Sequence, residues 1–201
     1  MRSIRLLRRA GNQLITAKIL PSVSAPELIA VEAEWGKYRA GAKQSGNPAG
    51  KRIPEHNHWN WAEKSSDLRF VAYRCLGIEC EGDVQGLILV STLAASGRHK
   101  GHLGKPVLYV KYLESAPWNL RDYVGDEARF AGVGISLIRI AISVSFEEEF
   151  RGRIALHSLP QAERFYGKFM TDLGVDPAVE GLRYFEMTEE QVQNFLKGGE
   201  V

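Results

Sequence analysis

The stretch Arg129-Phe130-Ala131-Gly132-Val133-Gly134 decides the fold predicted for this chain. It opens an apolar-periodic segment that predicts a helix over 134–150, and it follows a strand-like run at 107–113 after a connecting loop. Two glycines at this spacing let backbone N–H groups approach an anion at a helix N-terminus, where unpaired amides and the helix dipole favour negative charge. The stretch therefore predicts a site for a phosphate-bearing cofactor.

The residues after this loop disfavour two common phosphate-binding motifs. A Walker loop places Lys and then Ser or Thr directly after the last glycine, but Ile135 and Ser136 follow Gly134. A dinucleotide-binding fingerprint needs a third glycine at the position that Leu137 occupies. The pattern that remains is Arg-x-x-Gly-x-Gly at the start of a helix.

A second motif follows at 159–169, where the chain reads Leu-Pro-Gln-Ala-Glu-Arg-Phe-Tyr-Gly-Lys-Phe. Together the two motifs resemble the GCN5-related N-acetyltransferases (GNAT), whose pyrophosphate loop carries Gln/Arg-x-x-Gly-x-Gly/Ala. A later helix of that family carries Asn-Pro-x-Ala-x-x-Phe-Tyr-x-Lys-x-Gly-Phe. The resemblance covers roughly residues 68–187, and the N-terminal third matches only loosely.

The resemblance implies an α/β fold with a central, mostly antiparallel mixed sheet that is splayed at the cofactor site and has helices on both faces. Periodicity and turn signals predict strands at 14–20, 68–79, 84–92, 154–157 and 182–187, helices from Ser24, at 59–64, at 160–173 and from Thr188, and loops at 41–51 and 96–105. The strand at 107–113 is expected to separate from a parallel neighbour at 154–157 and to admit the pantetheine arm of coenzyme A.

Length and composition predict a single domain. With 201 residues and 44% hydrophobic content, the chain is long enough for one sizeable core and too short for two. Residues 1–67 are expected to form an N-terminal strand, helices and the acceptor side, residues 68–187 the cofactor-binding core, and residues 188–201 a C-terminal helix.

The resemblance implies backbone contacts to acetyl-CoA in two places. The glycine-rich loop would hold the pyrophosphate, and the end of the strand at 107–113 would pair with the pantetheine amides. The residues for the first contact are Arg129, Phe130, Ala131, Gly132, Val133 and Gly134, and those for the second are Tyr112 and Leu113.

Two side chains are candidates for proton transfer. Tyr166 matches the tyrosine that the family often uses as the acid for the leaving thiolate, although a core aromatic beside Phe165 and Phe169 is the alternative interpretation. Glu114 ends the central strand, where the family often places an acidic residue that acts as a base. The alternative interpretation of Glu114 is a solvated carboxylate at a strand end. Deprotonation of the amine through water would remove the need for such a base.

Departures from the family pattern mark the predicted acceptor side. Leu159 stands where the family has an asparagine, and the connection between Leu113 and Arg129 is longer than usual. Trp118 in that connection is either a wall of the acceptor pocket or a buried anchor. The segment 56–61, with His58 and Trp59, is a second candidate for the acceptor wall or else packs on the sheet.

Charge and residue usage give no support to several classes of function. The net charge of +2 gives no indication of nucleic-acid binding, and no metal is expected because His56, His58, Cys75 and Cys80 lack zinc-site spacing. No run of 18 apolar residues predicts a membrane span, and the arginine-rich N-terminus lacks the apolar run of a signal peptide. Sparse cysteine usage suits a reducing, cytoplasmic location.

The resemblance therefore implies an N-acetyltransferase that moves an acetyl group from acetyl-CoA to a primary amine by direct attack. Two alternatives stay open: a catalytically inactive module that binds coenzyme A or a protein, and a toxin that acetylates aminoacyl-tRNA. The acceptor is not specified by the sequence. Because family members often pair, a homodimer is possible.

Overall fold

The computed structural model describes residues 3–44 and 54–198. The elements in chain order are β1 (Ser3–Arg8), β2 (Gln13–Leu20), α1 (Ala25–Gln44), α2 (Trp61–Lys64), β3 (Tyr73–Cys80), β4 (Asp83–Ser96), β5 (Pro106–Ser115), α3 (Arg121–Val124), β6 (Phe130–Ala131), α4 (Val133–Glu147), β7 (Ile154–Ser158), α5 (Glu163–Tyr166), β8 (Thr171–Val175), β9 (Arg183–Met187) and α6 (Glu189–Lys197).

The strands form one mixed sheet in the order β6-β1-β2-β3-β4-β5-β7-β9-β8. β5 and β7 are parallel, whereas β1 runs antiparallel to β2 and β6, β2 to β3, and β9 to both β7 and β8. This arrangement confirms the predicted fold class.

The chain forms two compact units. Unit 1 comprises Met1–Ile88 and Leu113–Leu137, and unit 2 comprises Leu89–Tyr112 and Ile138–Glu200. The single domain with internal boundaries near residues 67 and 187 stays a prediction, and each unit is described separately below.

Three tryptophans lie at the centre of unit 1. The ring of Trp35 on α1 lies edge-on to Trp61 at 6.5 Å and to Trp118 at 6.3 Å between centroids. Aromatic pairs at these separations stabilise a core beyond the burial of their area. They hold α1, α2 and the segment after β5 together.

Gly86 on β4 permits a close approach within the same unit. A Cβ at this position would lie 2.6 Å from Val133 Cγ1 and 3.0 Å from Leu137 Cδ1. Any other residue would therefore force the side chains at the start of α4 to shift. Glycine here lets the helix after the glycine-rich loop pack closely on β4.

The C-terminal helix α6 of unit 2 begins where the sequence predicts it. Thr188 caps α6 with a capping box, in which its side chain accepts from Gln191 N and the Gln191 side chain accepts from Thr188 N. The predicted helix start at Thr188 is confirmed. The start of the loop predicted at 41–51 is wrong, because α1 continues to Gln44. Residues 45–51 of that loop and residues 199–201 of the predicted C-terminal helix lie outside the described residues.

The helix predicted at 160–173 is wrong. Only Glu163–Tyr166 is α-helical, and the chain then turns into β8. Glycine at 167 and 174 weakens the helix, and Gly174 has a φ of +92°. Thr171 and Asp172 instead pair with Glu186 and Phe185 on β9, so strand pairing across the sheet overrides the local helical pattern.

The N-terminal strand β1 was not among the predicted elements. Its arginines obscure a short alternating pattern in which Leu6 is fully buried. β1 pairs along its whole length with β2, from Ser3 opposite Lys18 to Arg8 opposite Gln13. The neighbouring strand, rather than local propensity, makes this segment extended.

Both cysteines lie on β3 and are buried as free thiols. Burial raises the pKa of the Cys75 thiol to about 12 and also raises the pKa of Cys80. The thiolate is the reactive form of cysteine, so neither residue is suited to act as a nucleophile.

Candidate functional site

The glycine-rich loop of unit 1 enters α4 through a left-handed backbone. Gly132 has a φ of +85°, which favours glycine, and a Cβ built on it would meet nothing within 4 Å. The residue before it, Ala131, pairs with Leu7 of β1. Open space beside Gly132 leaves room for a phosphate next to the N-terminus of α4.

Two amides of the predicted phosphate site are used inside the protein. Arg129 N donates to Trp118 O at 3.1 Å, and Phe130 N donates to Asn119 Oδ1 at 3.0 Å. These bonds tie the loop to the segment that follows β5. Arg129 and Phe130 therefore position the loop through their backbones.

The amides at the start of α4 are better placed for an anion. Ser136 N makes the first helical bond, to Gly132 O at 2.9 Å. Val133 and Gly134 precede that bond, and the N–H groups of a first helical turn point away from the helix without an internal partner. Within the predicted pyrophosphate site, the geometry therefore favours the amides of residues 132–134.

Trp118 is a buried anchor of the long connection. It is 2% exposed, and its Nε1 donates to Gln85 Oε1 at 2.9 Å. Its ring lies 5.7 Å from that of Tyr38, and the Arg129 guanidinium stacks over it at 4.9 Å. Of the two roles predicted for Trp118, this geometry favours the anchor over the acceptor wall.

A buried network of ions lies at the end of β5 in unit 1. Arg39, which is 5% exposed, donates to Glu114 Oε1 at 3.2 Å and pairs with Glu32 Oε1. The indole of Trp61 donates to Glu114 Oε2 at 2.6 Å, and Trp61 N donates to Glu32 Oε2 at 2.9 Å. One buried cation thus lies between two carboxyl groups.

Glu114 is not the solvated strand-end carboxylate of the alternative interpretation, because it is only 2% exposed. Burial raises its pKa to about 7, against the lowering effects of Arg39 and of the Trp61 hydrogen bond. A carboxyl group with a pKa near neutrality suits a general base. Both of its oxygens are held by protein groups, however, and its role as the base stays a prediction.

Glu114 should make the folded state less stable as the pH rises. In the unfolded chain it ionises with its ordinary pKa of 4.5, whereas in the fold it keeps its proton to about pH 7. The folded state binds the extra proton in this window, so the free energy of unfolding should fall between pH 4.5 and 7, by on the order of 3 kcal/mol.

Urea titrations of Glu114→Gln at pH 5, 6 and 7.5 check this expectation. The variant should lose this pH dependence, and the exposed Glu34→Gln on α1 should keep it. Equal pH dependence in wild type and Glu114→Gln would assign the ionisation elsewhere.

The predicted acceptor segment lies beside this network. Trp59 O accepts from Arg39 at 3.2 Å, and the Lys64 ammonium lies 4.8 Å over the Trp59 ring. His58 is exposed at the end of a 3₁₀ turn. The structure thus brings Trp59 close to the Glu114 network and leaves His58 on the surface of unit 1.

In unit 2, Tyr166 belongs to an aromatic cluster. Its ring lies 5.0 Å from Phe165, 6.3 Å from Phe169 and 6.0 Å from Phe185 between centroids. Burial raises the pKa of its phenol above the ordinary value, so Tyr166 keeps its proton at neutral pH. This environment suits a proton donor and a core aromatic alike.

The residues predicted to pair with pantetheine follow the paired part of β5. The parallel register joins Leu108, Tyr109 and Val110 to Ile154, Ala155 and Leu156. β5 continues to Ser115, and both Tyr112 and Leu113 are half-buried. These two residues therefore lie beyond the last residue pair that joins β5 to β7, as expected for strands that separate.

Sequence reasoning missed Arg39 and Glu32. Arg39 and Glu114 are 75 positions apart, so no local pattern connects them. A signal was present on α1, where Glu32, Trp35 and Arg39 fall at i, i+3 and i+7 on one helix face. Two charged residues flanking a tryptophan on a core-facing stripe predict a buried ion pair.

Residues 3–44 and 54–198 contain neither a metal-binding cluster nor a membrane-spanning helix. No group of three or more His, Cys, Asp or Glu side chains there is arranged to hold a metal ion. Nor is any helix in these ranges long and apolar enough to cross a membrane.

No protein-family model matches the chain, and no curated protein matches it in sequence. Solved structures do match its fold. An aminoglycoside acetyltransferase, AAC(6')-Ib in complex with ribostamycin and coenzyme A, matches with a TM-score of 0.56 and 16% identity over 88% of this chain and 96% of that chain.

Two further structures match at a similar level. A protein assigned to the GNAT family of acetyltransferases, from Desulfovibrio desulfuricans, has a TM-score of 0.51 and 11% identity over 86% of this chain and 99% of that chain. A bacterial toxin has a TM-score of 0.52 and 14% identity over 76% of this chain and 88% of that chain. At sequence identities this low, the structural matches establish the fold alone.

Proposed function

Because the chain has the fold of the GCN5-related N-acetyltransferases, we propose that it transfers an acetyl group from acetyl-CoA to a primary amine. The observation that carries the proposal is the glycine-rich loop, in which Gly132 adopts a left-handed backbone beside open space at the start of α4. Acetyl-CoA, when bound, supplies an activated acetyl group as a thioester. The proposed location is the cytoplasm.

Each proposed role falls on residues with a matching environment. The amides of residues 132–134 would bind the pyrophosphate, and the backbone of Tyr112 and Leu113 would pair with the pantetheine arm. Tyr166, whose pKa is raised by burial, would donate the proton that the leaving thiolate needs. No metal has a role in this scheme.

The acceptor is proposed as a class, primary amines. The matched aminoglycoside acetyltransferase is in complex with ribostamycin, which makes an amino sugar a reasonable first probe. Thiol release from acetyl-CoA should be measured with ribostamycin, spermidine, an aminoacyl-tRNA and a peptide with a free N-terminus. Release with none of them, alongside binding of coenzyme A, would favour the inactive binding module.

A second candidate is acetylation of aminoacyl-tRNA. The observation in its favour is the matched bacterial toxin, whose likeness covers the fold alone. Net charge argues on the other side, since +2 provides no strongly basic field for RNA. Thiol release with aminoacyl-tRNA but with neither ribostamycin nor spermidine would favour this candidate.

Coenzyme A should stabilise the fold, and Gly132→Val should abolish that effect. At a hundred times its dissociation constant, a ligand that binds only the folded state adds about 2.7 kcal/mol to the free energy of unfolding. A valine side chain at Gly132 would fill the open space beside the first amides of α4. Denaturant titrations with and without coenzyme A provide the measurement.

Gly82→Val is the matched control for this variant. Gly82, in the turn before β4, has a φ of +87° and open space around its Cβ position, as Gly132 does. Both variants carry the same backbone strain, but only one is expected to lose the ligand effect. If Gly132→Val retains the full stabilisation by coenzyme A, the loop does not bind the pyrophosphate.

A further inference from the structure

Unit 2 contains a series of hydrogen-bonded side chains that have no predicted role in cofactor binding or catalysis. Tyr109 Oη lies 2.7 Å from His157 Nδ1, and His157 Nε2 lies 3.0 Å from Asp176 Oδ2. Tyr109 is on β5, His157 is on the parallel strand β7, and Asp176 follows β8. Three separate segments thus place a phenol, an imidazole and a carboxylate in series.

The carboxylate sets the direction of these bonds. Hydrogen bonds from Arg98, from His157 and from Ala178 N hold the pKa of Asp176 at about 2. An ionised carboxylate only accepts, so a neutral His157 carries its proton on Nε2. Its Nδ1 is then left to accept from the O–H of Tyr109.

Tyr109 is the end of the series that lies on β5. The side chains of His157 and Asp176 are 6% and 9% exposed, and Tyr109 is half-buried as a residue. Tyr109 lies opposite Ala155, and the parallel register ends one residue later, at Val110. The phenol therefore lies on β5 three residues before Tyr112, where the predicted pantetheine contacts begin.

Other charged and titratable groups face the series from neighbouring segments. The Arg98 guanidinium lies 4.1 Å over the Tyr184 ring, and that ring lies 4.8 Å from His157. Burial raises the pKa of Tyr109, against the lowering effects of a hydrogen bond from the His157 backbone and of the nearby Arg98. Glu186 accepts from Arg98 N at 2.6 Å and from His102 at 2.8 Å, and Tyr112 follows on β5.

Glu114 is less suited to meet a substrate than Tyr109. Its two oxygens accept from Arg39 and Trp61, and it is 2% exposed. A base must lie within hydrogen-bond reach of the proton that it removes. The phenol oxygen of Tyr109 accepts a hydrogen bond from the His157 backbone and directs its own hydrogen at the His157 ring, which leaves one lone pair for an incoming donor.

We propose that Tyr109 takes a proton from the acceptor ammonium as its own hydrogen passes to His157, with His157 and Asp176 as positioning residues. The order of groups is that of a catalytic triad, in which a base and an orienting carboxylate stand behind the reacting group. Here the reacting group is a phenol that acts as a proton acceptor. This inference rests on the proposed function, since the amine acceptor is the substrate of that reaction.

The proton balance follows from the overall reaction. The ammonium loses one proton to the Tyr109 oxygen, and the phenol hydrogen moves to His157 Nδ1. The amine nitrogen then bonds to the acetyl carbon as the carbon–sulfur bond breaks. Tyr166 gives its proton to the sulfur to form the free thiol of coenzyme A, and the second proton of the amine nitrogen restores the Tyr166 phenol. His157 releases its extra proton to solvent.

The first test reads the tautomer of His157 directly. Long-range proton–nitrogen correlation spectra of ¹⁵N-labelled protein distinguish Nε2–H from Nδ1–H, and His157→Asn assigns the signal. Wild type should show Nε2–H. Asp176→Asn replaces an obligate acceptor with an amide that can donate, so the proton should move to Nδ1. A wild-type His157 protonated on Nδ1 overturns the proposal.

The second test measures thiol release with ribostamycin, spermidine, aminoacyl-tRNA and the peptide between pH 6.5 and 9. Tyr109→Phe should lower kcat by roughly 10²–10³ at pH 6.5, as expected for loss of a general base. The defect should shrink as the pH rises, because free amine in solution no longer needs a base. A purely structural role would give the same defect at every pH.

The control variant is Tyr73→Phe, a half-buried tyrosine at the start of β3 in unit 1. It should retain wild-type kcat throughout the pH range. An active wild type with an equally active Tyr109→Phe at pH 6.5 overturns the relay alone. A wild type that releases no thiol with any of the four acceptors overturns the proposed function, and the assignment of Tyr109 with it.

Discussion

Arg39→Met is expected to lower the free energy of unfolding by about 3–5 kcal/mol at pH 8. Arg39 is 5% exposed and lies between the carboxyl groups of Glu32 and Glu114. Methionine fills a similar volume but leaves buried negative charge without its cation. Urea unfolding followed by tryptophan fluorescence measures the loss, since Trp59 and Trp61 both hydrogen-bond to this network.

The loss should grow with pH. Arg39 lowers the pKa of Glu114, so without it the carboxyl group should hold its proton beyond pH 7. The variant should therefore come closest to wild type in mild acid, where Glu114 is neutral in both proteins. This direction follows from linkage, because the folded state of the variant binds the proton more tightly than the unfolded chain.

Arg151→Met is the matched control for this prediction. Arg151 pairs with Glu189 at 3.4 Å, but the two side chains are 72% and 46% exposed. Exposed ion pairs contribute about 0–1 kcal/mol, because water already solvates both charges. Similar losses in the two arginine variants would show that burial of the Arg39 network does not determine its energy.

Tyr166→Phe is expected to lower kcat for acetyl transfer by roughly 10²–10⁴ while leaving the affinity for coenzyme A nearly unchanged. The variant removes the buried phenol proton and keeps the ring that packs against Phe165 and Phe185. Thiol-release kinetics and titration calorimetry with coenzyme A measure the two quantities.

Phe165→Leu separates catalysis from packing in the same cluster. This substitution disturbs the aromatic contacts with Tyr166 and Phe169 but leaves the hydroxyl in place. It should reduce stability with little effect on kcat in the folded fraction. Wild-type turnover in Tyr166→Phe would leave Tyr166 as a packing residue only.

The glycine-rich loop and α4 can be predicted because their signals are local. Glycine at 132 reflects a positive φ at that residue, and the apolar period of α4 follows from the helix itself. Thr188 and Gln191 likewise form their capping box within four residues. Interactions of this kind are complete within a short stretch of chain.

Other parts of the structure depend on distant partners. β8 is extended because β9 lies beside it, although its sequence continues a helical pattern. Trp118 becomes an anchor through Gln85 on β4, and Glu114 is buried through Arg39 on α1. A sequence can show that such residues are present, but their protonation and exposure follow only from the packed arrangement.

The buried thiols of β3 have a practical consequence for labelling chemistry. Cys75 and Cys80 are the only two cysteines, and in the folded chain both are shielded and held as unreactive thiols. An alkylating reagent added to the intact protein should therefore react at a rate set by how often β3 opens. Mass spectrometry of the labelled cysteines would then report the opening of this strand over time.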